Sequence, residues 1–212
     1  MIDNLNADAA KRGWPAVIED RANQWDDRFS FRAERQKADG VRRNDSVQWR
    51  VAQQYIDAGF DVVFDDDASG EAADLVCLKV EDEYLRLALI HCKFSGGKTP
   101  GERVKDVVEV SSQAVRSARW IGKFHQLCQH LRVRDEALKV TGRPSRFLKG
   151  SASDLTRMMK LNRFRPVRAE IIIVQPGLPK SKRTDGQSIV LAAALTYLKE
   201  TVGINLSIIC SR

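Results

Sequence analysis

Residues 71–93 constrain what this chain can fold into more than any other stretch. Two runs dense in Val, Leu and Ile, at 74–80 and 85–94, are separated only by Glu81-Asp82-Glu83-Tyr84, the pattern of two strands joined in a tight antiparallel hairpin. A four-residue loop at 81–84 sets Val80 opposite Leu85, and the register then carries Leu78 to Leu87, Val76 to Leu89 and Asp74 to His91. Side chains two apart share a face, so Lys93 joins Asp74 and His91. The expected sheet face is Val76, Leu78, Val80, Leu85, Leu87 and Leu89, with a carboxylate, an imidazole and an ammonium at its rim. Directly opposed residues have Cβ atoms roughly 4.5–5.5 Å apart, within reach of one shared ion. The competing reading of His91 is a strand histidine satisfied by its neighbours. Against it stands Lys93, because a lysine on a leucine face calls for a partner.

The flanking sequence reads as alternating helices and strands, which is the α/β class. Asn44 or Asp45 caps an expected helix ending near Gly59, with Val47, Val51 and Tyr55 as its apolar stripe, and a strand follows at 60–64. A helix over 101–120 places Val104, Val107, Val108, Ser111, Ala114, Val115 and Ala118 at helical spacing and Arg103, Asp106, Glu109, Gln113 and Arg116 on its polar side. Trp120, Phe124, Leu127 and Leu131 continue a helical stripe, and Ser153 caps a short helix to Leu161. The chain closes with a strand at 169–174, a turn at Pro176-Gly177, a helix at 188–201 and a strand at 205–209. Ahead of the domain at 44–212, residues 1–43 read as a helical extension or linker, its helix starting at Pro15 and running to Ala38. Residues 121–167 read as a basic helical insertion, either lining a duplex channel or forming a solvated face.

Composition narrows the chemistry. No apolar run approaches the roughly 20 residues that cross a bilayer, and no signal-peptide core opens the sequence, so the expected compartment is the cytoplasm. A net charge of +7 suits an anionic partner. The four cysteines contain no Cys-x-x-Cys pair, as expected of reduced thiols, and Cys77 and Cys92 fall on the sheet face opposite the site. Gly97-Lys98-Thr99 is not a phosphate-binding loop, because that motif needs glycine where Cys92 stands; Lys98 reads instead as part of a basic turn touching phosphate. Asp65-Asp66-Asp67 and Glu71 form an acidic turn before the hairpin. Either this turn is only solvated, or Glu71, three residues ahead of Asp74, adds an oxygen ligand.

Asp74 opening one strand, followed by His91-Cys92-Lys93 in an acid-x-Lys slot on the next, resembles the signature of the PD-(D/E)xK nuclease superfamily, which restriction-enzyme-like and RecB-like nucleases share, with histidine in the acid place. Gln113, with Ser117 four residues on, is similar to the first half of the Gln-x-x-x-Tyr motif of RecB-like nucleases. The string from 65 to 113 looks like nuclease domains fused to superfamily 2 helicases in bacterial defence systems. The resemblance covers residues 44–120 and 168–210. It implies a restriction-endonuclease-like αβββαβ core, with a central mixed sheet flanked by helices, that hydrolyses DNA phosphodiester bonds with a divalent metal, Mn²⁺ or Mg²⁺. It further implies DNA as partner, with a superfamily 2 helicase module in cis or in trans. The implied catalytic group is Asp74, His91, Lys93, Gln113 and Glu71, with Asp74, His91 and Glu71 on the metal; Gln48, Lys98, Arg103 and Arg116 are the expected nucleic-acid contacts. Imidazole in the acid place favours Mn²⁺ over Mg²⁺ and, if unperturbed, lets activity fade below roughly pH 6.5. The alternative is a catalytically inactive nuclease-fold module that only binds DNA; a third reading is a scaffold whose basic surface meets another protein.

Overall fold

The computed structural model describes residues 44–94, 101–179 and 183–211, together with short strands at 19–23, 37–38 and 41–42. The fold is built outward from the hairpin. Strands β5 (Leu75–Val80) and β6 (Leu85–Cys92) pair antiparallel, with Val80 against Leu85, Leu78 against Leu87 and Val76 against Leu89, the expected register. The Glu81 amide donates to the Tyr84 carbonyl at 3.0 Å and closes the four-residue loop. Beyond β5 lie β4 (Val62–Asp65) and β7 (Phe147–Lys149), both antiparallel; beyond β6 lie β8 (Val167–Pro179), β9 (Leu206–Ser211) and β1 (Glu19–Asn23), all parallel. The result is a mixed seven-stranded sheet in the order β1-β9-β8-β6-β5-β4-β7. Strands β2 (Lys37–Ala38) and β3 (Val41–Arg42) form a separate two-stranded pair.

Helices cover both faces of this α/β sheet. Helix α1 (Val47–Asp57) packs Val47, Val51, Ala52 and Tyr55 over Val63, Leu75, Cys77, Ala88, Ile90 and Cys92. The other face, Val76, Leu78, Leu87 and Leu89, is covered by α2 (Val104–Arg116) with a following 3-10 turn (Ser117–Trp120), α3 (Phe124–Val140), α4 (Ala152–Leu161) and α5 (Asp185–Val202). Burial on two sides is why the central strands read as nearly continuous apolar runs. It also sets Cys77 and Cys92 on the α1 side, away from Asp74 and His91, and all four cysteines are buried thiols. Among the described residues, no helix is long and apolar enough to cross a membrane.

Several expected elements are corrected. The expected helix over 15–38 contains strand β1 at 19–23 and part of a two-stranded pair at 37–38; the rest of it lies outside the described residues. The cause is tertiary, since the edge of β9 offers a row of backbone groups that a strand satisfies and a helix does not. The cap of α1 is Ser46, whose hydroxyl accepts from the Trp49 amide at 3.1 Å, rather than Asn44 or Asp45. Helix α4 starts after Ser151, not Ser153, and that hydroxyl bonds the Asp154 carboxylate. In α2, Val107, Ser111 and Ala114 are buried where spacing set them, but Val110 is buried in place of Val108, which is 44% exposed. Pro176-Gly177 lie within β8. The pairing with β9 shifts between Gln175 and Pro179, and the Gln175 side chain accepts the Gly177 amide at 2.7 Å in place of a ladder bond. The stretch expected as a helical insertion also carries β7, whose Phe147 meets Phe64 edge to face at 4.9 Å.

Candidate active site

Asp74 stands one residue before β5, where the ladder between β5 and β6 ends. Its Oδ2 accepts the Cys92 amide at 2.7 Å, so the carboxylate replaces the next strand-to-strand bond and is fixed in place. His91 Nδ1 lies 4.0 Å from the same oxygen. On the other side of the ring, Nε2 is 2.7 Å from the Ser117 hydroxyl, which in turn lies 2.5 Å from the Ala72 carbonyl. His91 is 2% exposed, and its Nδ1 is buried with no hydrogen-bond partner. Burial, with the Arg116 cation adding to it, pushes the imidazole pKa down to about 3. The ring is therefore neutral far below pH 6.5, which removes the expected loss of ligation near that pH.

The acidic turn is a built structure. Oxygen atoms of Asp67, Glu71 and Asp74 all lie within 4.8 Å of one another, a cluster able to hold a metal ion. Of the expected ligands Asp74, His91 and Glu71, this group contains Asp74 and Glu71; Asp67 is its third member, and His91 adjoins it through Asp74. Burial raises the Glu71 pKa, and the Asp67 and Asp66 carboxylates raise it further against the lowering effect of the Ala68 amide. Like charges held together in this way favour a cation among them. Asp65 and Asp66 serve the loop itself. Asp65 accepts from Gln48 Nε2 and the Asp67 amide, while Asp66, fully buried, accepts the Ala72 amide at 2.7 Å and pairs with Arg134. Arg134 also donates to the Ser69 and Asp66 carbonyls, and Arg146 to those of Asp65 and Asp67. These basic residues of the 121–167 stretch point inward and hold the turn that carries the acids.

A pocket of about 440 Å³ opens over the cluster, walled by Asp67, Glu71, Asp74, His91, Gln113 and Arg116 among others. Gln113 reaches it as the resemblance implies, and its Oε1 is buried without a partner. Lys93 is buried, and its Nζ pairs at 2.9 Å with Glu109, which lines the pocket where Lys93 itself does not. Gln48 lines the wall, yet its Nε2 donates to Asp65 Oδ1 and to the Asp74 carbonyl, both at 3.2 Å. It clamps the strand ends together, and the expected nucleic-acid contact is corrected to that role. Arg103 pairs with Asp106 at 3.4 Å and is not among the lining residues, whereas Arg116 is. Lys98 lies outside the described residues.

Sequence reasoning missed Asp67, Ser117 and Arg119. Asp67 is indistinguishable in sequence from its two neighbours. Ser117 follows Gln113 by one helical turn, and that spacing was its only signal. Arg119 lines the pocket and donates to the Glu71 carbonyl at 3.1 Å. Comparison with protein-family models, with curated proteins and with solved structures finds no match to this chain. What the site offers chemically is three carboxylates, an imidazole and two arginines around one opening, with the Lys93–Glu109 pair reaching its edge through Glu109.

Proposed function

We propose that this chain is a divalent-metal-dependent nuclease of the PD-(D/E)xK type that hydrolyses DNA phosphodiester bonds, as the nuclease part of a helicase-linked bacterial defence or DNA-processing system. The observation that carries the reading is the approach of Asp74 Oδ2 and the unpartnered His91 Nδ1 to 4.0 Å beside the cluster of three acids. With the stretch at 121–167 set aside as an insertion, the order helix, strand, hairpin, helix, strand, helix, strand supports it as well. Carboxylates of Asp67, Glu71 and Asp74 fit a hard cation such as Mg²⁺ or Mn²⁺, and the adjoining imidazole tilts the preference toward Mn²⁺. A divalent ion bound there supplies Lewis acidity toward a phosphate oxygen and a water of lowered pKa.

The chain's own groups do the rest. Lys93, released from Glu109 when a phosphate approaches, neutralises charge developing on the phosphoryl oxygens. Gln113 Oε1 accepts a hydrogen bond from the attacking water and orients it. Arg116 and Arg119 hold the flanking backbone phosphates, which makes binding salt-dependent. One observation favours the catalytically inactive DNA-binding module instead, namely the Lys93 ammonium engaged by Glu109 at 2.9 Å. Lys93→Ala separates the two readings. For the nuclease, Mn²⁺-dependent cleavage is lost while affinity for a DNA duplex at low salt changes only a few-fold; for the inactive module, the wild type does not cleave and the variant is indistinguishable from it.

A further inference from the structure

We propose that Ser117 is a positioning residue that fixes the tautomer of His91, so that the Nδ1 lone pair faces Asp74 and is available to a divalent ion; the proposal rests on the metal reading above. Ser117 Oγ lies 2.5 Å from the Ala72 carbonyl oxygen and 2.7 Å from His91 Nε2. A hydroxyl has one hydrogen to give and a carbonyl has none. Two oxygens at that separation with no hydrogen between them repel, so the hydroxyl hydrogen goes to Ala72. Toward His91 the serine oxygen can then only accept, and Nε2 must carry the ring proton. A neutral imidazole has a single N–H, which leaves Nδ1 as a lone pair.

Exposures of 2% for His91, 1% for Ser117 and 2% for Ala72 keep water from relaxing this chain of bonds. The consequence falls on the far side of the ring. Nδ1 has no hydrogen-bond partner, and Asp74 Oδ2, another acceptor, lies 4.0 Å from it. Two acceptors facing each other in a buried place are unfavourable unless a cation lies between them. Without Ser117 the ring can take the opposite tautomer, donate Nδ1–H to Asp74 and close the gap that an ion needs. The Ala72 carbonyl belongs to the turn that carries Asp67 and Glu71, so one hydroxyl ties the imidazole to the acid-bearing loop.

The test is ¹⁵N NMR of the full chain labelled at histidine, recorded without metal. The chain has three histidines, and His91 is assigned by its loss in His91→Gln. The expected wild-type spectrum has a pyridine-like Nδ1 and a pyrrole-like Nε2 at His91. In Ser117→Ala the expected spectrum shows Nδ1 protonated, and Mn²⁺ affinity by calorimetry falls about 10–100-fold, the usual effect of losing a group that orients a ligand. Ser117→Thr keeps the hydroxyl, the wild-type tautomer and the affinity to within a few-fold. A wild-type Nδ1 that is protonated overturns the inference, and that spectrum needs no variant to fold. Ser117→Ala that keeps both the tautomer and the affinity overturns it too. A predicted tautomer in a wild type that takes up no Mn²⁺ overturns the metal reading, whereas a protonated Nδ1 in a Mn²⁺-binding protein overturns this inference alone.

Discussion

Arg134→Met removes the guanidinium that holds the acidic turn while keeping the length of the side chain. In the wild type Arg134 pairs with the Asp66 carboxylate and donates to the Asp66 and Ser69 carbonyls, each at 2.8 Å. The Asp66 side chain is fully buried, and that of Arg134 is 15% exposed. Removing one partner of a buried pair costs about 3–5 kcal/mol, because the remaining charge stays desolvated. Here Asp66 keeps the Ala72 amide at 2.7 Å, which sets the expected loss at the lower end, about 3 kcal/mol. Domain stabilities are typically about 5–15 kcal/mol, so the variant still folds. Urea unfolding followed by circular dichroism reads the loss as a lower midpoint at unchanged slope. Asp66→Asn in the same chain removes the stranded charge, so the double variant should lose less than the sum of the singles by about 1–3 kcal/mol. Mn²⁺ affinity should drop in Arg134→Met as well, since Asp67 and Glu71 ride on the same turn. A loss below about 1 kcal/mol, with Mn²⁺ binding intact, would show that the turn does not depend on Arg134.

Two further outcomes are expected. His91 titrates at about 3 in the fold, below the ordinary value of 6.5, so its contribution to stability is complete above pH 6.5 and is lost as pH falls toward 3. That amounts to about 1 kcal/mol between pH 6.5 and 5.5 and roughly 1.4 kcal/mol per unit below, and His91→Gln should flatten this slope in urea titrations; a slope unchanged by the substitution refutes the buried neutral ring. At Gly150, φ is +79° and an added Cβ would sit 2.5 Å from the Asp61 carbonyl oxygen, whereas Gly142, at φ +70°, has open space. Gly150→Ala should therefore lower stability by more than about 2 kcal/mol and Gly142→Ala by about 1 kcal/mol, and equal melting temperatures for the two would contradict the contact.

The hairpin was legible because strand period and loop length fix register locally: once residues 81–84 are a four-residue loop, Asp74 has to face the position of His91. The parity that put Cys92 on the far face was legible for the same reason. What escaped the sequence depends on distant partners. Asp67 differs from Asp65 and Asp66 through partners that the turn itself does not encode: Gln48 takes the Asp65 carboxylate, and the Ala72 amide and Arg134, 68 residues on, take that of Asp66. Strand β1 exists because β9 presents an edge, and nothing within residues 15–38 encodes that edge. Gln48 was an expected nucleic-acid contact because its acceptors, Asp65 and the Asp74 carbonyl, lie 17 and 26 residues away and turn its amide inward. The cap at Ser46 was missed for a smaller reason, since Asn44, Asp45 and Ser46 are all good caps and only the chain's entry direction chooses among them.

The claim on which the functional reading stands is that Asp74 holds a metal ion for phosphodiester cleavage, and it is met most directly by plasmid DNA incubated with Mn²⁺ or with chelator, wild type beside Asp74→Asn. The asparagine oxygen can still accept the Cys92 amide that the carboxylate accepts at 2.7 Å, so the strand end is preserved while the charge is removed. The expected result is nicked or linear plasmid from the wild type with Mn²⁺ only, and intact plasmid in the presence of chelator or with Asp74→Asn. A wild type that leaves the plasmid intact with Mn²⁺, or an Asp74→Asn protein that cuts as fast as the wild type, would contradict it.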